Sequence, residues 1–142
     1  MVESAGGDDR REIRYQDSLD GIESSQLQGF FVGWPHPPSP ATHQRLLSGS
    51  DHVVLAIDVE HGQVVGYVTA LTDGVLSSFI PLLEVLPAYQ GRGIGQALMT
   101  RMLERLGHLP NVDLLCDPEV VPFYERFGMK PGQGMVLRRP MG

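Results

Sequence analysis

The stretch Gln90-Gly91-Arg92-Gly93-Ile94-Gly95-Gln96-Ala97-Leu98 decides how the rest of this chain is read. Three glycines alternate just ahead of a segment whose apolar stripe is Ile94, Ala97, Leu98, Met102 and Leu106, with Gln96, Thr100, Arg101, Glu104 and Arg105 left to water. Glycine reaches backbone conformations closed to other residues and lets the main chain approach a ligand. The first amides of the helix that follows have no partner inside it, and their partial positive charge suits a phosphate or pyrophosphate. Arg92 adds a formal charge at the same place. Two other phosphate-binding readings fail on detail. A P-loop ends in Gly-Lys-Ser/Thr, and no lysine lies here; a dinucleotide fingerprint spaces its glycines Gly-x-Gly-x-x-Gly, whereas this chain has Gly91-x-Gly93-x-Gly95. On spacing alone, a tight turn that only starts a capped helix stays open.

Upstream of the glycines the pattern is that of strands. Residues 52–59 and 63–72 are rich in β-branched side chains and are separated by His61-Gly62, which predicts a hairpin. Asp73-Gly74 makes a second turn before a third strand over 75–86, where Pro81 cannot donate a ladder hydrogen bond and so calls for a bulge or an open edge. Residues 13–16 read as a first strand. Leu27, Phe30, Phe31 and Trp34 recur at helical spacing and predict a helix over 20–34 that Pro35 stops. After a stiff proline connector, Ser39 and Pro40 open a second helix and Gly49 closes it. Downstream, 112–116 reads as a strand, Asp117 as the cap of a short helix ending at Gly128, and 129–139 as one or two last strands. The organisation expected is one α/β domain over 12–142 behind a polar, flexible tail over 1–11, with no internal repeat.

Composition narrows the function. Of 142 residues, 42% are hydrophobic and 20% charged, enough apolar side chain for a real core. The net charge of −6 argues against a sequence-independent grip on nucleic acid. No apolar run approaches the length needed to span a bilayer, so no membrane partner is expected. Cys116 is the single cysteine, which excludes an intrachain disulfide and a multi-cysteine zinc cluster and suggests a reducing, cytoplasmic setting. His36, His43, His52, His61 and His108 show no ligand spacing, so no metal is expected.

The run from Val85 to Leu98 resembles the acetyl-CoA motif of the GCN5-related N-acetyltransferases, Arg/Gln-x-x-Gly-x-Gly/Ala, here Gln90-Gly91-Arg92-Gly93-Ile94-Gly95. Pro122-Phe123-Tyr124-Glu125-Arg126-Phe127-Gly128-Met129 is similar to the family's second signature. The resemblance implies an acyl-CoA N-acyltransferase fold: a mixed, mostly antiparallel sheet of 6–7 strands, splayed in the middle, with about four helices. It implies acetyl-CoA as co-substrate in the cleft between the strand ending at Leu86 and the strand 112–116. Leu83 and Val85 would pair with the pantetheine arm through their backbone. Gln90, Gly91, Arg92, Gly93, Ile94, Gly95 and Gln96 would hold the pyrophosphate. Asp117 stands where many relatives carry an asparagine that touches CoA. Tyr124 occupies the position of the general acid toward the sulfur, and the Val85 amide that of the donor to the thioester oxygen.

The general base is less determined. The position six before Val85, where some members place a glutamate, is Phe79. The nearest acid is Glu84, set among apolar neighbours in Pro81-Leu82-Leu83-Glu84-Val85, with strand alternation turning it away from the face of Leu83 and Val85. Cys116 reads as a small buried residue rather than a nucleophile. Phe31, Trp34 and His36 are expected to wall the acceptor pocket, and the acidic chain favours a small cation or an amine on an otherwise uncharged molecule. The implied activity is direct transfer of acetyl to a primary amine of a small molecule or peptide, by a monomer or homodimer. A non-catalytic acyl-CoA-binding or sensing module is the alternative; Phe79 favours it and Tyr124 opposes it.

Overall fold

A computed structural model describes residues 12–141; the expected tail over 1–11 lies outside the described residues. The frame is set by two long strands, β2 (His52–Asp58) and β3 (Gln63–Thr72), whose near-continuous runs of Val, Ile, Leu and Ala are buried on both faces of the sheet. They pair antiparallel, with Leu55 opposite Tyr67, and β1 (Ile13–Gln16) adds to the far side of β2.

The open edge of β3 is shared. β4 (Ser77–Phe79) pairs with its C-terminal end and β5 (Leu83–Val85) with its first half, so the single strand expected over 75–86 is split around Pro81. β6 (Asn111–Asp113) runs parallel to β4 and follows it, while β5 stays with β3. The six-stranded mixed sheet therefore opens between β5 and the chain leaving β6.

Three α-helices are present among the described residues, rather than about four: α1 (Pro40–Ser48), α2 (Ile94–Arg105) and α3 (Val121–Glu125). α1 starts as its sequence dictates, with the Ser39 hydroxyl accepting the Thr42 amide at 3.1 Å and Gly49 at its end. α2 packs Ile94, Leu98, Met99 and Met102 onto the sheet. It comes so close that a Cβ on Gly66 of β3 would lie 3.1 Å from Leu98 and 3.3 Å from Ile94.

The helix expected over 20–34 does not form. Only a 3₁₀ turn, Ser24–Gln26, appears there, and Gly21, Gly29 and Gly33 all take left-handed φ between 75° and 90°. A left-handed residue breaks the helical ladder, so the apolar spacing is satisfied by turns that bury Leu27, Phe30 and Phe31. The last strands expected over 129–139 are also absent; that segment has no regular element and Met135 is 94% exposed. Asp117 is the residue before the last helical segment, but its side chain makes no capping hydrogen bond, and the segment starts as a 3₁₀ turn, Pro118–Val120.

Candidate active site

The opening in the sheet is a cavity of about 560 Å³, lined by β5, the glycine junction, residues 115–117 and α3. The backbone of β5 is arranged to serve it. Leu86 donates to Val65 at 2.8 Å and Leu82 accepts from Thr69 at 3.1 Å. Antiparallel pairs alternate, so residues 82, 84 and 86 point their peptide groups at β3, whereas Leu83 and Val85 point theirs outward into the opening. The Gln90 side chain reaches back to donate to the Val85 carbonyl at 3.0 Å, tying the junction to the strand.

Gly91 and Gly93 both adopt left-handed φ, 80° and 81°, and open space lies where a Cβ would project from either. Gly93 caps α2 without any side chain, so the amides of Ile94, Gly95 and Gln96 meet no intrahelical acceptor and lie at the cavity. Together with the outward edge of β5, this donor set suits an anion followed by an amide-bearing arm. The preceding turn, Pro87–Tyr89, is anchored from below: the Tyr89 hydroxyl donates to buried Asp58 at 2.5 Å, and Asp58 also faces His61 Nδ1 at 3.1 Å. Sequence reasoning missed that anchor, since Asp58 lies at the end of a distant strand. Arg92 turns away from the cavity, donating to the Ala88 carbonyl at 3.2 Å and lying over the Tyr89 ring.

Tyr124 and Asp117 line the same cavity, and Cys116 joins them. Cys116 is exposed, not buried as expected, because β6 ends at Asp113 and leaves 114–116 without a strand partner. Tyr124 packs edge-on against Phe123 at 5.0 Å. Burial, and then the neighbouring Cys116, push its phenol above the ordinary tyrosine range, so it is protonated at neutral pH and able to donate.

A second cavity of about 450 Å³ lies on the other side of β5 and shares Leu82, Leu83, Val85 and Gln90 with the first. Phe31, Val32 and Trp34 wall it, and Glu84 is in it. His36, expected beside them, is exposed and lines neither cavity. The Glu84 carboxylate accepts the Phe31 amide at 2.9 Å to each oxygen and the Val32 amide at 3.2 Å. Phe31 sits at φ 63°, a strained conformation for a bulky side chain, costing on the order of 1–3 kcal/mol. Charge-assisted hydrogen bonds to Glu84 offset that strain and fix the turn.

Behind Phe31 stands a buried cluster that the sequence did not reveal. The His43 ring packs 4.8 Å from Phe31, 5.3 Å from Phe30 and 4.5 Å from Tyr67, and neither of its nitrogens has a partner. Burial lowers its pKa to about 4, so it is neutral. The Tyr67 hydroxyl also lacks a well-aligned partner, yet burial and the nearby Glu84 carboxylate push its pKa up. The available signal was weak: His43 and Leu47, four apart on α1, share its buried face.

Comparison with known proteins gives a consistent result. A model of the acetyltransferase (GNAT) family matches residues 19–129. A crystal structure from Deinococcus radiodurans R1, described as a candidate acetyltransferase, is 50% identical, covers 89% of this chain and 88% of its own, and superposes with a TM-score of 0.87. A chloroplastic serotonin N-acetyltransferase from Oryza sativa subsp. japonica is 35% identical over 117 residues, 78% of this chain and 58% of that protein. A histone acetyltransferase of Glycine max is 28% identical over 109 residues, 70% of this chain and 47% of that protein. The chain thus spans about half the length of these two curated relatives. Among the described residues, no group of three or more His, Cys, Asp or Glu could hold a metal ion, and no helix is long and apolar enough to cross a membrane.

Proposed function

This chain belongs to the GNAT acetyltransferase family, and on that premise we propose that it moves an acetyl group directly from acetyl-CoA in the first cavity to a primary amine entering from the second. The observation that carries this reading is that two cavities meet across β5, one lined by unpaired amides and a protonated tyrosine, the other holding a carboxylate.

The junction residues Gln90, Gly91, Gly93, Ile94, Gly95 and Gln96 hold the pyrophosphate through backbone amides, and Leu83 and Val85 pair with the pantetheine arm. Acetyl-CoA supplies an activated thioester. Tyr124 Oη delivers a proton to the departing sulfur, and the outward Val85 amide is the donor available to the thioester oxygen. Asp117 contacts the arm, its carboxylate being left free of a capping role. Arg92 swings from the Ala88 carbonyl onto the phosphates only if its side chain rearranges. Glu84 faces the amine; the Phe31 amide, shared between both oxygens, and the Val32 amide take three contacts and leave about one lone-pair site to hold an ammonium and accept its proton through water. Phe31 and Trp34 form the acceptor wall.

The acceptor is a small molecule or an exposed peptide amine, since relatives carry names of both kinds. No metal, nucleic acid or membrane takes part, the compartment is cytoplasmic, and the working unit is a monomer or homodimer. A thiol-release assay with acetyl-CoA against polyamines, amino acids, aminoglycosides, hydrophobic monoamines and peptides tests the reading. Amine-dependent release of CoA is expected; binding of acetyl-CoA with no turnover on any amine would leave only a cofactor-binding module.

A further inference from the structure

The second cavity has an unusual charge inventory. Among the described residues lining it, Glu84 is the only one with a charged side chain, and none is Lys, Arg or His. The one side-chain amide, Gln90, is already engaged with the Val85 carbonyl. The rest is apolar, and part of it faces water: Val32 is 59% exposed and Trp34 46% exposed, both on a turn that the Glu84 carboxylate locks in place.

From these features we propose that the cavity selects primary monoamines on a flat or compact apolar body that carries no anionic group. This rests on the acetyltransferase reading and specifies its acceptor. The fixed carboxylate is preorganised for a single ammonium, because Phe31 and Val32 already hold its oxygens and little ordering is left for the ligand to bring about. The Trp34 and Val32 surface takes the apolar body, which shields itself from water there. An α-amino acid fails because its carboxylate enters a site whose sole charge is negative and finds no cation to pair with. A phosphorylated aminosugar fails for the same reason. A polyamine leaves its second ammonium against an apolar wall with no second carboxylate. An aminoglycoside brings hydroxyls to a surface with almost no free hydrogen-bond partners.

The experiment uses matched amines with the whole 142-residue chain. 2-Phenylethylamine, phenylalanine and spermidine are compared by thiol release with acetyl-CoA, and by quenching of Trp34 fluorescence with CoA present. The proposal expects kcat/KM for 2-phenylethylamine to exceed that for phenylalanine and for spermidine by about a hundredfold, with quenching by 2-phenylethylamine alone. In Glu84→Gln, the penalty on phenylalanine should shrink to tenfold or less, because removing the repelling charge helps the zwitterion and harms the monoamine. Phenylalanine or spermidine working within tenfold of 2-phenylethylamine overturns the proposal while the transferase reading stands. No turnover of any amine overturns the transferase reading instead. The fluorescence titration then still judges the cavity, and failure of 2-phenylethylamine to quench refutes the proposed specificity.

Discussion

The two cavities on either side of β5 are made by different means. The first is built mainly from backbone: alternate residues of one β-strand, one glycine turn and one helix start point peptide groups into it. The second is built from side chains on segments remote in sequence, and its shape hangs on a carboxylate bonded to an amide 53 positions away. A site made of backbone tolerates most side-chain changes and fails when a glycine is lost. A site made by one distant side-chain link is easy to retune and easy to break. On the proposed reading, that difference lets one donor be kept while the acceptor varies.

The contrast can be broken most severely where the chemistry lies. Tyr124→Phe keeps the ring that packs on Phe123 and removes only the hydroxyl, so turnover should fall roughly 10²-fold or more while CoA affinity stays within twofold. Pre-steady-state rates together with calorimetry separate the two effects. An unchanged chemical rate would return Tyr124 to a packing role. Glu84→Ala comes next. It strips the Phe31 and Val32 amides of their acceptor, frees a strained turn, and should raise the acceptor KM about tenfold or more. CoA binding should barely change, since Glu84 does not line the first cavity. Equal losses of CoA and acceptor affinity would show the two cavities to be one unit. Trp34→Ala should cost less, about threefold to tenfold in acceptor KM, because the ring is partly in water and only its buried edge rests on Phe31.

The smallest effect at neutral pH lies behind the second cavity. His43 has a folded pKa lowered to about 4 against an ordinary value near 6.5, so the unfolded chain binds the proton more readily between those values. Stability is therefore full above about pH 6.5 and is lost as pH falls toward 4, by on the order of 2–3 kcal/mol between pH 7.5 and 4.5. Denaturant melts at the two pH values should show wild type losing more than His43→Leu. Identical losses would mean His43 is protonated without cost in the fold.

What was legible in the sequence follows from how local each feature is. Gly91 and Gly93 turn the chain within six residues of the helix they start, and the Ser39, Pro40 and Gly49 signals of α1 act over single turns. Those were readable. So was the β2–β3 hairpin, because its runs are long and its turn holds a glycine at φ 65°. The segment 20–34 misled because turns can bury Leu27, Phe30 and Phe31 at the same spacing as a helix, and its glycines decide between the two. The Glu84 link to Phe31 could not be read, since no local rule connects residues that meet only once the sheet has formed. The proline connector is expected to project His36 into the acceptor pocket, but in the fold His36 is exposed and does not line the second cavity.

The central claim is that acetyl-CoA is held by the backbone of the glycine junction, and calorimetric titration of CoA into wild type and Gly93→Asp tests it most directly. At Gly93 no neighbouring atom would clash with a Cβ, but the left-handed φ of 81° and a new negative charge at the start of α2 oppose a pyrophosphate. One-to-one binding to wild type is expected, weakened at least tenfold in the variant, about 1.4 kcal/mol, with the circular dichroism spectrum unchanged. Equal affinity for the two folded proteins would contradict the account.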